Sequence, residues 1–397
     1  MPAAYQLFFN GQSADPDMFA AITSLEVEES LDLPGAIQLS LPVDATDGGD
    51  LTYVADARLQ PLVNLAVVVQ PSGDSASSGL GALTGGGSSA GAQCIFDGYI
   101  LAHKLHLQKG TTNSTLAVWG QDSAWLMNLQ EKTKEWLDMT DADVANSIFG
   151  DYGITPSSDN SDDDSPSHTE DGHSLMQRGT DIQFLRMLAR RNGKICRVAC
   201  ADKPGERTGY FSKPSLSASP SVTLALNEPL AWNISALDLD WDGTLPTSVI
   251  ARQAIFTDDS PGGVSGDTDD SGLSRLGDRG LAEFTGKPMT VLLAAPVDDA
   301  GELAMRARAV LRESLWFVKC SGEADLSRLG TVLRAGMIVS LSGAGSLHSG
   351  NYLVWSVRHT IKPDSYKMKF QLVRNAVGAA GGADGLTSAA GQAAGAL

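Results

Sequence analysis

One stretch of the sequence, residues 267–278, carries oxygen-bearing side chains at a spacing that could bind a metal ion. Four of them match ligand positions one, three, five and twelve of an EF-hand calcium loop: Asp267, Asp269, Ser271 and Asp278. Gly272 stands at position six, where such loops turn sharply. However, Asp278 replaces the usual bidentate glutamate, and Arg275 occupies position nine. The pattern favours a solvated loop with no metal, and a calcium site is the weaker alternative.

The histidines offer two further candidate ligand pairs. His103 and His106 lie three residues apart in a predicted strand, so they face opposite sides of the sheet and cannot readily share an ion. His168 and His173 lie together in an acidic loop. The other candidate ligands in that loop are Asp164, Glu170 and Asp171. Acidic loops that contain histidine are commonly just solvated, and this is our interpretation here.

The cysteines indicate free thiols rather than a disulfide or a zinc site. Of Cys94, Cys196, Cys200 and Cys320, only Cys196 and Cys200 are near each other in sequence. In a strand their Cα atoms would lie roughly 13 Å apart, whereas a disulfide requires less than about 7 Å. The sequence contains no CxxC pair, which argues against structural zinc.

Signatures of catalysis and of cofactor binding are missing from the sequence. It contains no GxSxG elbow, no Cys–His signature and neither GxxxxGK[ST] nor GxGxxG. Among the 47 acidic residues, the spacing singles out no pair of carboxylates suited to glycoside hydrolysis. We therefore predict a protein that is not an enzyme and uses no cofactor.

The charge and hydropathy of the chain exclude several classes of partner. The 397 residues carry a formal net charge of −18, and the pI is about 4.6. This balance argues against specific nucleic-acid binding and against docking on anionic membranes. No apolar run approaches the roughly 20 residues of a membrane helix. The first residues lack the pattern of a signal peptide, so we expect synthesis in the cytoplasm and no direct membrane insertion.

Changes in pattern along the chain predict an α+β fold that is mainly β. Segments 1–132 and 231–376 alternate apolar and polar residues in the manner of strands. Segment 133–230 contains two helical patterns that begin at Thr140 and Thr180, each with a capping residue three positions later. This segment reads as a smaller α/β connector between two β-rich bodies.

Two stretches have compositions too poor in apolar residues to pack alone. Residues 71–92 form a Gly/Ser-rich insertion within the first β-rich body, and we expect it to be a flexible loop. Residues 377–397 are mostly glycine and alanine. We expect this tail to be disordered unless a partner orders it.

Three groups of motifs, taken in order, resemble the phage late-control D family. The first group is "FDGYILAHKL" with "STLAVWGQDSAWLMN" and "MTDADVANSIFGDYGI", and the second is "GTDIQFLRMLARRNGKICRV". The third is "LRAGMIVSLSGAGSLHSGNYLVWSVRHTIKPDSYKMKFQLVRN". That family shares its fold with the N-terminal part of VgrG-type spikes. The resemblance runs from the first strands to Asn375.

The resemblance implies the baseplate hub of a contractile phage tail or contractile injection system. It implies that 1–132 and 231–376 are tube-like β-barrel domains, and that three subunits form a pseudo-sixfold ring. Such a homotrimer would join a spike to a tail tube or tube-initiator protein and would contact other baseplate proteins, within an assembled virion or injection particle. VgrG-type chains continue into a needle, whereas this sequence stops at its Gly/Ala tail, so the spike is expected to be a separate polypeptide.

Two other interpretations of the sequence remain open. The chain could be an adaptor or effector-carrying module of a secretion device, using the loops at 71–92 and 376–397. Less favoured is a cell-wall hydrolase of a tail tip. The acidic loops near residues 160 and 265 are further candidates for contact or ion sites.

Overall fold

The structure is a computed structural model that describes residues 4–71, 91–109, 113–160, 167–169, 175–227, 232–253, 264–297 and 300–378. Most of the predicted insertion at 71–92 and most of the tail at 377–397 lie outside the described residues. The same holds for four of the candidate ligands, Asp164, Glu170, Asp171 and His173.

The N-terminal part of the chain folds into long antiparallel strands. A short helix, α1 (Pro16–Ala21), is capped by Asp15, whose carboxylate accepts a hydrogen bond from the Met18 amide at 2.8 Å. The strands are β1 (Ala4–Phe9), β2 (Gln12–Ser13), β3 (Ser24–Ser30), β4 (Ala36–Pro42), β5 (Asn64–Gln70), β6 (Gln93–His106) and β7 (Thr115–Asp122). Two 3₁₀ turns follow β4 and β7, at Ala57–Leu59 and Ser123–Asn128.

The middle part contains the two predicted helices among short strands. Its elements are β8 (Glu131–Trp136), β9 (Met139–Thr140), α2 (Asp141–Asp151), β10 (Thr155–Pro156), a 3₁₀ turn (Ser158–Asn160), β11 (Ser167–His168), β12 (Leu175–Thr180), α3 (Asp181–Arg191), β13 (Ile195–Cys200), β14 (Arg207–Ser212) and β15 (Thr223–Ala225). Thr140 and Thr180 both form complete capping boxes, with Asp143 and Gln183 as their partners. The predicted helix starts are therefore confirmed.

The C-terminal part returns to strands around one longer helix. Its elements are β16 (Ile234–Trp241), β17 (Ser248–Gln253), β18 (Val264–Ser265), α4 (Leu281–Thr285), β19 (Thr290–Leu293), α5 (Ala300–Ser314), β20 (Val318–Asp325), α6 (Leu326–Leu329), β21 (Ile338–Ser342), α7 (Gly345–His348), β22 (Gly350–Lys362) and β23 (Ser365–Arg374). Gly193, at the end of α3, has φ +60°, and an added Cβ would lie 2.7 Å from Ala309 Cα in α5. Only glycine permits both this backbone conformation and this close approach.

Most of the long strands form one continuous sheet. Its order is β16–β20–β23–β22–β3–β4–β7–β6–β5–β1–β2, and β15 with β21 joins it at β22. Smaller sheets pair β13 with β14 and β10, and β17 with β18 and β19. The mainly β prediction is confirmed. Because the described strands form no closed barrel, the two-barrel architecture and its domain boundaries stay predictions.

Strands β22 and β23 form an antiparallel hairpin, and this hairpin connects the C-terminal part of the chain with the N-terminal part. Strand β22 pairs antiparallel with β3, from Ser356 opposite Ser30 to Ile361 opposite Leu25. Side chains alternate across this pairing, so Leu25 and Ile361 are buried in the core while polar neighbours face outward. The N-terminal and C-terminal strands therefore share one sheet and one core.

The described residues contain two large apolar cores and several smaller ones. The sheet buries a core that draws on strands from both ends of the chain, including Leu39, Val67, Val118, Tyr352, Val357 and Phe370. The middle part has its own core, including Val144, Ile148, Phe149, Leu185, Leu188 and Phe211. Nowhere in the described ranges is a helix both long and apolar enough to cross a membrane. Since each body has its own core, side chains at their boundary decide how the two bodies are joined.

Candidate functional site: a charged sheet face and a buried polar joint

The outward side of the sheet carries a patch of opposite charges that spans β20, β23, β22 and β3. We call this patch the charged face. It includes the carboxylates and cations Glu26, Glu28, Glu323, Asp325, Arg358, Lys367 and Lys369. In one row Glu323 lies opposite Lys369, which lies opposite Arg358, which lies opposite Glu28. The facing pairs Glu323–Lys369 and Glu28–Arg358 are opposite in charge and stabilise the sheet modestly, whereas Lys369 and Arg358 are two facing cations that repel each other.

Two ion pairs connect neighbouring strands of the charged face. Arg358 Nη2 lies 2.8 Å from Glu28 Oε2, and Lys367 Nζ lies 2.7 Å from Glu323 Oε1. Hydrogen bonds to these carboxylates raise the pKa of Arg358 and of Lys367 above their ordinary values. The face is therefore locally balanced in charge, although the whole chain carries −18.

A second polar group is buried where the sheet meets the middle part of the chain. We call it the polar joint, and it consists of Glu29, Asp97, Arg207 and Arg334. Glu29 follows Glu28 in β3 but points to the other side of the sheet. Arg334 Nε donates to Glu29 Oε1 at 2.6 Å, and the Ala335 amide donates to Glu29 Oε2 at 3.2 Å.

Arg334 also reaches the middle part of the chain. Its Nη2 atom lies 3.5 Å from the carbonyl oxygen of Cys200, at the end of β13. Burial alone would lower the pKa of the Arg334 guanidinium, but the nearby Glu29 carboxylate outweighs burial and the pKa is raised. The guanidinium therefore stays charged and connects β3 with β13.

Asp97, in β6, forms the other half of the polar joint. Arg207 Nη2, in β14, donates to Asp97 Oδ1 at 2.8 Å, and the Gly205 amide donates to Asp97 Oδ2 at 2.5 Å. Asn64 Nδ2 adds a third hydrogen bond at 2.8 Å. The Asp97 side chain has no exposed surface, so these donors take the place of the water molecules that would hydrate an exposed carboxylate. Burial by itself lowers the pKa of Arg207, and Asp97 outweighs it and raises that pKa.

His168 takes part in a buried network that holds α2 against α3. Its Nε2 atom lies 2.7 Å from Asp141 Oδ1, and Arg191 Nη2 lies 2.8 Å from Asp141 Oδ2. Asn192 Nδ2 donates to the same carboxylate at 2.5 Å. Burial pushes the pKa of Asp141 up, but the bonds from His168 and Arg191 outweigh burial and leave it lowered. The geometry of His168 is that of a structural hydrogen bond.

The calcium-like loop places its first candidate ligand against a cation. Asp267 forms an ion pair with Arg252, whose Nη2 lies 2.7 Å from Oδ2, and it accepts a hydrogen bond from the Ala251 amide at 3.1 Å. Within the described residues, no three or more His, Cys, Asp or Glu side chains gather as a metal site. The prediction that this loop holds no metal, like that of no metal elsewhere, stays a prediction.

The remaining histidine pair and one core histidine occupy different environments. His103 and His106 lie on the exposed end of β6, where their partners in β7 are Val118 and Thr115. His359, in β22, is fully buried, and its Nδ1 lies 2.9 Å from the Tyr366 hydroxyl. Burial, and then the charge of Arg334, lowers the pKa of His359 to about 3. His359 is therefore neutral in the folded protein at neutral pH.

Sequence reasoning did not identify the polar joint. Glu29 and Arg334 are 305 residues apart, and Asp97 and Arg207 are 110 apart. Neither pair has a periodic or motif-like signal, because the contacts depend on how whole strands pair. The one usable signal was the "LRAG" sequence before β21, which belongs to the third motif group and contains Arg334.

Comparison with known proteins gives one family match. The family described as the Alg8 N-terminal domain matches residues 85–363. This description names no activity, and it is not the late-control D family, so that part of the resemblance stays a prediction. No curated protein matches the chain.

Comparison with solved structures shows the fold. The 43 kDa tail protein of prophage MuSo2 from Shewanella oneidensis matches with TM-score 0.63 and 13% identity, over 94% of this chain and 98% of that one. The tail protein from Neisseria meningitidis MC58 matches with TM-score 0.61 and 13% identity, over 94% and 97%. Nearly the whole described chain therefore folds like these tail proteins.

A third similar structure belongs to a secretion system. It is an Escherichia coli component of the type VI secretion system, described as structurally similar to the T4 bacteriophage tail proteins gp27 and gp5. It matches with TM-score 0.53 and 13% identity, over 93% of this chain and 76% of that one. The fold of this chain is thus shared by phage tail proteins and a secretion-system component.

Proposed function

The chain belongs to the Alg8 N-terminal domain family, and from its fold, which phage tail proteins share, we propose that it is a structural baseplate hub. The device would be a contractile phage tail or a contractile injection system. The observation that carries this proposal is the fold match over 94% of this chain and 97–98% of two tail proteins. A match that long involves the whole architecture and not one common motif.

We further propose that three copies form a pseudo-sixfold ring that joins a separate spike to the inner tube. The homotrimer, the spike, the tube partner and the relation to late-control D proteins come from the motif resemblance. The continuous sheet holds strands from both ends of the chain together in one unit, which suits a load-bearing subunit. A ring subunit must carry load between its two axial neighbours without separating into its parts.

The charged face fits the surface that a hub exposes to moving cargo. It interleaves both charges, so it attracts neither a polyanion nor a polycation strongly. Its strand backbones are already paired on both sides, which removes open edges that could bind extended segments. We propose that this face is a non-adhesive surface of the ring, and its position at the lumen is open to test.

One apolar pair is a candidate contact between copies. Ile250 in β17 and Leu292 in β19 lie opposite each other, with 41% and 74% of their surfaces exposed. Strand β19 is at the edge of its small sheet. Large apolar side chains exposed side by side are common at contact surfaces, so this pair is where an assembly variant should be made.

The experiment that tests the hub is electron microscopy of the purified full chain, with and without a candidate spike protein. We expect two-dimensional averages with threefold symmetry and six lobes around a hole. A persistent monomer in the presence of the spike, or a ring of another symmetry, would contradict the hub and favour the adaptor module.

Two matched variants sharpen that experiment. Leu292→Lys should reduce the fraction of rings if Leu292 contacts another copy, because a charge would then be buried without a partner. Leu33→Lys introduces the same charge at another exposed leucine, 59% exposed, and should leave ring formation unchanged. Peptidoglycan digestion by the wild-type chain, abolished by a single carboxylate substitution, would instead support the hydrolase.

A further inference from the structure

Two cysteines that are 106 residues apart in sequence meet at the boundary between the sheet and the middle part of the chain. Cys94 lies in β6 and is fully buried, and Cys200 ends β13 and is half-buried. The Cys200 thiol donates to the carbonyl oxygen of Cys94 at 2.6 Å. Contact with the Cys200 side chain, followed by burial, raises the pKa of Cys94 well above its ordinary value. Cys200 therefore packs directly against Cys94, whose own thiol donates to the carbonyl oxygen of Phe96 at 3.2 Å.

The surroundings of Cys200 suit a thiol that reacts. Arg334 Nη2 lies 3.5 Å from Cys200 Sγ, so a cationic side chain borders the sulfur. Cys200, Arg197 and Arg334 also line a cavity of about 30 Å³, which is large enough for a water molecule. Because this cavity has room for a water but not for a disulfide reagent, such a reagent reaches the sulfur from the solvent-exposed side of Cys200, which is half-buried.

The other two cysteines lack these features. Cys196 and Cys320 are buried, and burial raises the pKa of each to about 12. Cys196 lies in the same strand as Cys200, four residues earlier. It is a matched control, because it has the same backbone setting without the neighbouring thiol.

We propose that Cys94 and Cys200 are a redox pair that forms a reversible disulfide between β6 and β13. The oxidant is a low-molecular-weight disulfide. The Cys200 thiolate attacks one of its sulfurs, which forms a mixed disulfide and expels one small thiolate. The Cys94 sulfur then attacks Cys200 Sγ, which forms the intramolecular bond and expels the second thiolate. The two protons lost by the cysteines pass to the two released thiolates, so one disulfide is reduced as one is formed.

The bond would cross-link the same two bodies that the polar joint holds together. Strand β6 belongs to the large sheet, and β13 belongs to the smaller sheet of the middle part. A cross-link between residues so far apart in sequence restricts the unfolded chain strongly. Oxidation should therefore convert a boundary held by side-chain contacts into one held covalently, whether or not copies of the chain assemble.

The test begins with the purified full chain, reduced with dithiothreitol and then equilibrated with oxidised glutathione under native conditions. Intact mass should fall by two hydrogens without a glutathione adduct, and a non-reducing peptide map should show Cys94 joined to Cys200. Cys196→Ser should give the same link. Cys200→Ser should give none, and because Cys200 is half-buried this variant should still fold.

A second readout checks that the link joins the two bodies in the native state. Oxidation should slow proteolysis of the wild type and of Cys196→Ser by at least about tenfold, because the closed loop is long. It should leave Cys200→Ser unchanged. Both thiols remaining free in a natively folded wild type, a lasting glutathione adduct on Cys200, or a link through Cys196 would each overturn the proposal.

Discussion

Glu28 and Glu29 are neighbours in β3, yet they belong to two different regions of the molecule. Glu28 forms an ion pair with Arg358 on the charged face, at 2.8 Å, with side chains 40% and 52% exposed. Glu29 forms an ion pair with Arg334 in the polar joint, at 2.6 Å, with side chains 11% and 18% exposed. The pairs have the same chemistry and similar distances. They differ in exposure to solvent, and this exposure determines how much each pair contributes to stability.

The difference follows from the cost of removing charges from water. An exposed pair is screened, and its partners are hydrated again when they separate. A buried pair whose partner is removed leaves a charge without water or counter-charge, which is strongly destabilising. We therefore expect the joint to hold the two bodies together and the face to set surface charge with little effect on stability.

The largest effect is expected from Asp97→Ala. This carboxylate is fully buried and accepts hydrogen bonds from Arg207, Gly205 and Asn64. Its loss leaves the Arg207 guanidinium without its counter-charge, and we expect a cost of about 4 kcal/mol in the free energy of unfolding. Urea denaturation measures this cost. An effect under about 1 kcal/mol, typical of surface pairs, would show that the joint does not hold the boundary.

Glu29→Ala should lower the free energy of unfolding by about 3 kcal/mol, somewhat less than Asp97→Ala, because the Glu29–Arg334 pair keeps a little exposure to solvent. The matched control is Glu28→Ala, the same substitution one residue earlier. Chemical denaturation of both variants in the same buffer gives the comparison. If the two variants lose equal stability, solvent exposure is not what separates the two regions.

His359, buried on the same side of the sheet as the polar joint, should make the stability of the protein depend on pH. Its pKa is lowered to about 3 in the folded protein, whereas an unfolded histidine titrates near about 6.5. Between these values the unfolded state binds a proton and the folded state does not. Stability should therefore fall as pH falls below about 6.5, by up to about 1.4 kcal/mol per pH unit from this residue.

His359→Gln removes this titration while keeping a polar partner for the Tyr366 hydroxyl. The measurement is the difference in unfolding free energy between wild type and variant, at several pH values from neutral to mildly acidic. Taking the difference cancels the contribution of carboxylates that the two proteins share. Parallel pH profiles would mean that His359 titrates alike in the folded and unfolded states. That result would contradict the lowered pKa of this residue in the folded protein.

The smallest effect is expected on the charged face. Glu28→Ala or Arg358→Ala should change stability by under about 1 kcal/mol at low salt. Near-molar salt should remove most of that change, because screening at that concentration acts over about 3 Å. Denaturation at two salt concentrations measures it. A larger or salt-independent loss would place this pair in the same class as the joint.

Local signals predicted local structure well. Thr140 and Thr180, each followed by a side chain able to complete a capping box, were enough to predict the starts of α2 and α3. Alternation of apolar and polar residues in segment 231–376 predicted strands such as β23, and the order of the motifs predicted a fold that tail proteins share. In each case the interaction involves residues close in the chain, or a pattern repeated along one strand.

Contacts between distant strands could not be predicted in the same way. The cysteine argument compared Cys196 with Cys200 because they are near in sequence, whereas the structure brings Cys200 to Cys94. Glu29 could not be distinguished from Glu28 until β3 had a partner strand, since only the pairing determines which side is buried. The polar joint, and with it the candidate site, depends on register and topology.

The hub itself is tested most directly by native mass spectrometry of the full chain mixed with its spike partner. We expect a complex that contains three copies of the 41.6 kDa chain. We also expect that Leu33→Lys leaves this stoichiometry unchanged. A complex with a single copy, or no complex at conditions where both proteins are folded, would contradict the hub.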